Sequence, residues 1–296
     1  MEAIIVIVGF LGAGKTTLLK KIVKSYLSES WNPFIILNDY ENANLDAQDF
    51  LEFLDPKQLN ALSGSCICCS GINELRDQVN KIIPREKGVT LIEANGTTDA
   101  VSLMGFLGVG MDTQFLPPVQ IAVVDARNWQ KRGADNELEA NQVQVASIVV
   151  LNYVEKVDIE RVVQVEESIR TLNQSVTIYP WNKFGIDELA SLKPSDNNAS
   201  KMDHKKAHWS SCSVDLPDPI DSVKLTKIID GIPGKILRVK GCTRVDDDEN
   251  YSHFERTPNG EVFVRPYNGT PITGPKLLTI GPGSDPEMLK ELISSN

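Results

Sequence analysis

The sequence predicts an α/β protein: a mostly parallel sheet flanked by helices, followed by a smaller α+β domain. Three observations carry this. Short β-branched runs alternate with helical patterns from residue 3 to about residue 190. Most of those runs are near-continuous apolar stretches, as strands covered on both faces require. Beyond a polar stretch near residue 200 the alternation stops and hairpin signals replace it.

Taken in order, strands are expected at 3–8, 34–38, 89–93, 120–124, 147–152 and 176–179. Helices are expected between and after them, at 15–27, 72–83, 100–107, 137–145, 159–172 and 186–192. Such an order needs right-handed crossovers, hence parallel pairing. The stretch KPSDNNASKMD (193–203) is polar and holds Pro, Ser and Asn, which reads as a linker. The expected organisation is therefore a first domain over 1–192, a linker over 193–205 and a second domain over 206–296. In the second, strands are expected at 209–214, 236–239, 260–264 and 277–280, with helices near 222–229 and 286–293. One hairpin should turn through Asn259 and Gly260, and DDDEN (246–250) reads as a solvated loop.

Bulk properties exclude several roles. At 296 residues and 41% hydrophobic content the chain can bury two cores. A net charge of −10 argues against nucleic acid or an anionic membrane as partner. A nucleotide is still allowed, because phosphate sites use local backbone dipoles. The apolar run 3–10 is too short for a signal-peptide core and has no basic residue before it. No segment approaches the roughly 20 apolar residues of a membrane span. Three of the five cysteines fall within four positions, which is not the spacing of a disulfide framework. A cytoplasmic protein with reduced thiols is expected.

GFLGAGKTT (9–17) matches G-x-x-x-x-G-K-S/T between a buried strand and an amphipathic helix, the context of a P-loop NTPase. Gly9, Gly12 and Gly14 let the backbone turn so that the N–H groups around Ala13 and Thr17 face phosphate oxygens. Lys15 would reach the outer phosphates, and the Thr16 hydroxyl would ligate magnesium. VTLIEANG (89–96) ends a strand in a carboxylate, Glu93, with Gly96 three positions on. That reads as an acid near the metal and a glycine N–H near the γ-phosphate; an ordinary strand-end Glu before a turn is the plainer alternative. Asp39, Glu41 and Asp46 follow the second strand, where each either contacts a metal or water or is merely solvated.

CICC (66–69) places Cys66, Cys68 and Cys69 in a glycine-flanked loop. Thiolates this close can converge on a soft cation. Zinc would take a fourth ligand from Glu41, Asp39, a His or water. A redox thiol set, or small packed cysteines, are the alternatives. Cys212 and Cys242 stand alone in strand-like contexts and read as core. His204 and His208 are spaced i, i+4 but lie in the linker, and His253 stands apart.

GFLGAGKTT, the ND(Y)EN loop, SGSCICCSG, LIEANG, AVVDARNW and VVLN occur in an order that resembles the CobW/HypB/UreG group of P-loop GTPases, closest to its CobW-like branch. ILRVKG (236–241) resembles the small carboxy-terminal domain of that branch. The resemblance implies a SIMIBI-type GTPase using GTP and magnesium, binding zinc or cobalt, and delivering it to a client metalloprotein as hydrolysis proceeds. It implies catalytic roles for Lys15, Asp39 and Glu93, with guanine read at Asn152 and Glu155. There the usual N-K-x-D is NYVE (152–155), so the carboxylate gains a methylene and Tyr153 replaces the lysine. Ser65 and the run 95–100 also depart from the usual pattern. Two other functions fit the residues: a regulatory module that binds nucleotide and metal with little turnover, and a P-loop ATPase or kinase. A homo-oligomer is left open.

Overall fold

Seven strands form one sheet: β1 (Ala3–Val8), β2 (Asn32–Asn38), β3 (Leu59–Leu62), β4 (Gly88–Glu93), β5 (Val119–Asp125), β6 (Ile148–Asn152) and β7 (Thr177–Pro180). In the computed structural model, which describes residues 1–38, 43–62, 71–108, 111–190, 192–195, 211–257, 260–267, 269–271, 274–281 and 283–295, their order is β3-β2-β4-β1-β5-β6-β7. Every neighbouring pair is parallel. The chain divides into two compact units, Met1–Asp39 with Phe53–Ala207, and Tyr40–Glu52 with His208–Asn296.

In the first unit the helices are α1 (Lys15–Ser28), α3 (Gly71–Asn80), α4 (Ala100–Leu107), α5 (Asn136–Gln144), α6 (Ile159–Leu172) and α7 (Ile186–Leu189). Strands β4 and β5 are buried along their whole length, as their apolar runs require. Ile4, Val6 and Val8 of β1 join one core with Ile92, Val124, Val149 and Ile169, while Ile5 and Ile7 are buried on the strand's other face. Each such side chain contributes about 1.5–3 kcal/mol on burial. From β1 the chain crosses to β2 on one side, and later from β4 to β5 on the other. The direction in which the connections travel across the sheet therefore reverses at β1, and the carboxyl end of β1 is the place where an open parallel sheet binds ligands.

The second unit carries β8 (Ser211–Asp215), β9 (Arg238–Arg244), β10 (Tyr251–Arg256), β11 (Val262–Tyr267) and β12 (Lys276–Ile280), in the order β11-β10-β9-β12-β8 with antiparallel pairs throughout. Helices α8 (Ser222–Gly231) and α9 (Pro286–Ser295) contribute Ile228, Ile229 and Leu289 to a core with Val239, Phe254 and Leu277. The ring of Phe254 lies where a side chain on Gly241 would sit, so the strand pair can close only over glycine. Arg256 ties the end of α8 to the sheet, its guanidinium donating to the carbonyls of Ile229, Ile232 and Ile236 at 3.1, 2.9 and 3.0 Å. Helix α2 (Ala43–Leu51) belongs to this unit. Its Gln48 accepts the Tyr267 hydroxyl at 2.5 Å, and its Asp49 pairs with Arg265 at 2.7 Å.

The α/β class and the antiparallel second sheet agree with the expectation from sequence. Elements β3, α2 and β10 were not expected, and β9 runs five residues beyond its expected end, to Arg244. Strand β3 is only four residues long. Strand β10 (YSHFER) and the end of β9 (KGCTR) put polar side chains on a sheet face that is nonetheless buried at Lys240, Cys242 and His253, so no apolar run marks them. Residues 246–250 form an exposed turn region, as expected. Among the described residues no helix is long and apolar enough to cross a membrane.

Candidate nucleotide and metal site

The loop from β1 to α1 owes its shape to glycine. Gly9, Gly12 and Gly14 have φ of 149°, 75° and 103°, in the region that side chains disfavour. A Cβ on Gly9 would also collide with the Val123 carbonyl of β5. The turn closes with the Ala13 N–H donating to Phe10 O at 3.1 Å. It delivers the chain into the first turn of α1, where the backbone N–H groups and the helix dipole favour an anion. Lys15 opens α1, is 4% exposed, and folds its Nζ back to 3.3 Å from Phe10 O. The cation therefore stands over the loop. The next residue, Thr16, donates its hydroxyl to Glu93 Oε1 at 2.7 Å, linking the helix to the end of β4.

Two further elements hold the loop rigid. The Arg132 guanidinium lies 4.2 Å from the Phe10 ring centroid and pairs with Glu139 at 3.0 Å. Burial pushes the Glu139 carboxyl up, and the Arg132 charge opposes that shift. Beyond β4, Gly96 is packed against Leu11 so tightly that any side chain would collide with it. Gln142 of α5 donates to the Gly96 and Thr98 carbonyls at 3.0 and 3.2 Å, so the segment after Glu93 is buried and fixed.

On the other side, Asn152 spends its amide on the loop itself, donating to Ala13 O at 3.0 Å while its Oδ1 accepts the Tyr153 N–H at 2.9 Å. It positions β6 against the cradle, a tethering role that the motif alone did not reveal. Tyr153 takes φ 59° and carries the Arg127 guanidinium 3.7 Å from its ring centroid. Asp125 holds that guanidinium through both oxygens at 3.0 and 3.1 Å. Glu155 is exposed on the short turn Val154–Lys156. The Trp181 ring lies 3.8 Å from where a Gly14 side chain would start, and its loop is fastened to α1 by Lys21, which donates to Trp181 O at 3.1 Å and Phe184 O at 2.5 Å.

The structure thus brings together Gly9, Gly12, Ala13, Gly14, Lys15, Thr16, Glu93, Gly96 and Asn152. Asp39, Glu41, Cys66, Cys68, Cys69, His204 and His208, and the side chain of Asp46, lie outside the described residues. Among the described residues no three His, Cys, Asp or Glu side chains come together as a metal site. Cys212 and Cys242 are buried and unbridged, and burial pushes the Cys242 thiol up to about 12, so both are packing residues. Sequence reasoning missed Arg127, Arg132, Gln142 and Trp181. Only AVVDARNW, quoted for its order, contained one of them.

The profile of the CobW/HypB/UreG nucleotide-binding domain matches residues 3–180. The zinc chaperone YjiA of Escherichia coli (strain K12) is 25% identical over 280 residues, which cover 86% of this chain and 85% of that protein. Zinc-regulated GTPase metalloprotein activator 1 of Dictyostelium discoideum is 25% identical over 206 residues, 57% of this chain but only 43% of that protein. Among solved structures, Zn(II)-bound YjiA GTPase from E. coli aligns with a TM-score of 0.45 at 18% identity, over 99% of this chain and 98% of that one. Nickel-bound HypB from Helicobacter pylori aligns with a TM-score of 0.40 at 12% identity, over 60% and 78%.

Proposed function

Because the chain belongs to the CobW/HypB/UreG family, we propose that it is a GTPase that binds zinc, cobalt or a similar ion and couples GTP hydrolysis to its delivery to a client protein. The relatives named as a zinc chaperone and a zinc-regulated GTPase metalloprotein activator support this reading. The observation that carries it is the 2.7 Å hydrogen bond between Thr16 and Glu93 at the foot of the loop. A hydroxyl and a carboxylate side by side are the hard oxygen donors that magnesium takes, the first directly and the second through water. When bound, magnesium would neutralise charge on the β- and γ-phosphates. The chain's own residues do the rest. Backbone N–H groups from Gly9 to Thr17 and the Lys15 cation orient the polyphosphate, Glu93 holds Thr16 in place, and the Gly96 N–H lies beside the loop. Asp39 is proposed to position the attacking water. Glu41, Cys66, Cys68 and Cys69 are proposed to hold the transferred ion, which is cargo.

Replacing Glu93 with glutamine keeps an acceptor for the Thr16 hydroxyl but removes the charge. Magnesium-dependent GTP hydrolysis is expected to fall by about 10²–10³-fold, with nucleotide binding kept within a few-fold. Wild-type turnover in Glu93→Gln would show that the carboxylate serves only the β4–α1 junction.

The exposed Glu155 is proposed to read guanine N1 and N2. Glu155→Asp draws the carboxylate back by one methylene to the usual distance and is expected to raise the GTP-over-ATP preference by about 1–3 kcal/mol, by analogy with bidentate base contacts. Competition assays that give equal GTP and ATP affinities in both proteins would remove Glu155 from the base pocket and favour a phosphotransferase of other specificity.

A further inference from the structure

Strand β11 closes the second sheet at one edge, and among the described residues nothing pairs with its outer side. It is nevertheless apolar: Val262, Phe263 and Val264 are 46%, 55% and 63% exposed. Three consecutive large apolar residues on an open edge are what natural sheets avoid unless the edge is used. The hairpin sets which backbone groups are free. The Thr257 N–H donates to Glu261 O at 2.9 Å, so Glu261 bonds inward, and by alternation Phe263, Arg265 and Tyr267 do as well. Val262, Val264 and Pro266 therefore direct their backbone outward. Pro266, which has no N–H, is in the one phase where it removes no bond to β10.

We propose that β11 is a self-association edge, pairing antiparallel with β11 of a second copy about a twofold axis centred on Phe263. The sequence Glu261-Val-Phe-Val-Arg265 is a palindrome in polarity and reverses in charge. Antiparallel self-pairing about Phe263 places Val262 opposite Val264 in both directions. Those are the outward-facing residues, so each pair exchanges both N–H···O bonds, four in all. The same register sets Glu261 of each copy opposite Arg265 of the other and stacks the two Phe263 rings at the centre. Any other occupant would have to match that charge order independently; a second copy matches it by symmetry. Arg265 donates to Asp49 of its own chain at 2.7 Å, and its side chain is 46% exposed, so the guanidinium stands at the surface of this edge. A ribbon of five residues a side is at the small end of specific interfaces, so the association is weak, with Kd on the order of 10–100 µM.

Sedimentation of the full chain without nucleotide, from about 5 to about 500 µM, is expected to show a reversible monomer–dimer equilibrium. A monomer mass across that range overturns the proposal and leaves the edge to some other strand. Val264→Pro deletes an outward donor while sparing every bond to β10, and is expected to weaken dimerisation at least tenfold. Glu261→Arg and Arg265→Glu should each weaken self-association, and mixing the two variants should restore it, because each then meets its opposite charge. Failure of the mixture to associate overturns the register whatever Arg265→Glu does to the Asp49 contact. Amide exchange in the unaltered protein gives the same answer without substitution: Val262 and Val264 should gain protection as concentration rises, Phe263 and Arg265 should not. Equal concentration dependence at all four amides contradicts an edge-paired dimer.

Discussion

Replacing Lys15 with alanine is expected to weaken GTP binding by roughly 100-fold or more and to abolish turnover while leaving the fold intact. Lys15, 4% exposed, is the one cationic side chain in residues 9–17, so no other side chain of the loop could offer a phosphate a charge. Its Nζ rests 3.3 Å from Phe10 O, a carbonyl that a phosphate oxygen would outcompete for a charged donor. A hydrogen bond to a charged group is worth about 1.5–3 kcal/mol, and two phosphates share this one, which gives the expected factor. Alanine is the best helix former and Lys15 sits in the first turn of α1, so the helix survives. The comparison is nucleotide affinity by titration alongside the thermal unfolding midpoint. A variant that melts like wild type and binds GTP as tightly would sink the assignment of the cradle.

The second large effect concerns the thiols. Cys66, Cys68 and Cys69 are proposed to bind one zinc or cobalt ion as thiolates. In the cobalt form, thiolate ligation gives an intense ultraviolet charge-transfer band, and tetrahedral coordination gives strong visible bands. Serine in place of both Cys68 and Cys69 is expected to remove the charge-transfer band and to cost most of the affinity, since a neutral hydroxyl replaces a soft anionic donor. Binding by thiolates releases protons, so affinity in the unaltered protein should weaken as pH falls toward about 6. The two remaining cysteines do not confuse the reading. Both are buried, and Cys212 lies against the Thr279 hydroxyl at 3.3 Å. A double variant with an unchanged cobalt spectrum and affinity makes the C-x-C-C loop structural.

Which parts of this were legible in the sequence follows from where the information lies. The cradle was legible because its chemistry is local: the positive φ of Gly9, Gly12 and Gly14 and the adjacent Lys15 and Thr16 are neighbours in the chain. Glu93 was legible because a strand end followed by glycine is a local pattern, although its partner Thr16 is 77 residues away. Arg132 and Gln142 were not legible. Their work is to brace Phe10, Gly96 and Thr98 from α5 and the turn before it, contacts that exist only after the sheet has brought β4 and β5 alongside β1. Trp181 and Lys21 meet across 160 residues for the same reason. Among the strands of the second unit the misses have one cause. Strands β9 and β10 place Lys240, Cys242 and His253 on a buried face, so the polar side chains that usually mark solvent mark an interior surface here. Helix α2 was missed because its contacts, Gln48 with Tyr267 and Asp49 with Arg265, come from one strand, β11, more than 200 residues away.

The central claim is that nucleotide and metal occupancy are coupled, and titration calorimetry tests it most directly. Zinc or cobalt is titrated into the reduced protein with no nucleotide, with GTP and magnesium, and with GDP and magnesium. The account predicts a metal affinity that differs at least about 5-fold between the nucleotide states, and a GTP affinity that shifts by the same factor when metal is present, because linkage is reciprocal. Identical metal affinity in all three conditions would contradict it, leaving a nucleotide site and a thiol loop that share a chain without sharing a mechanism.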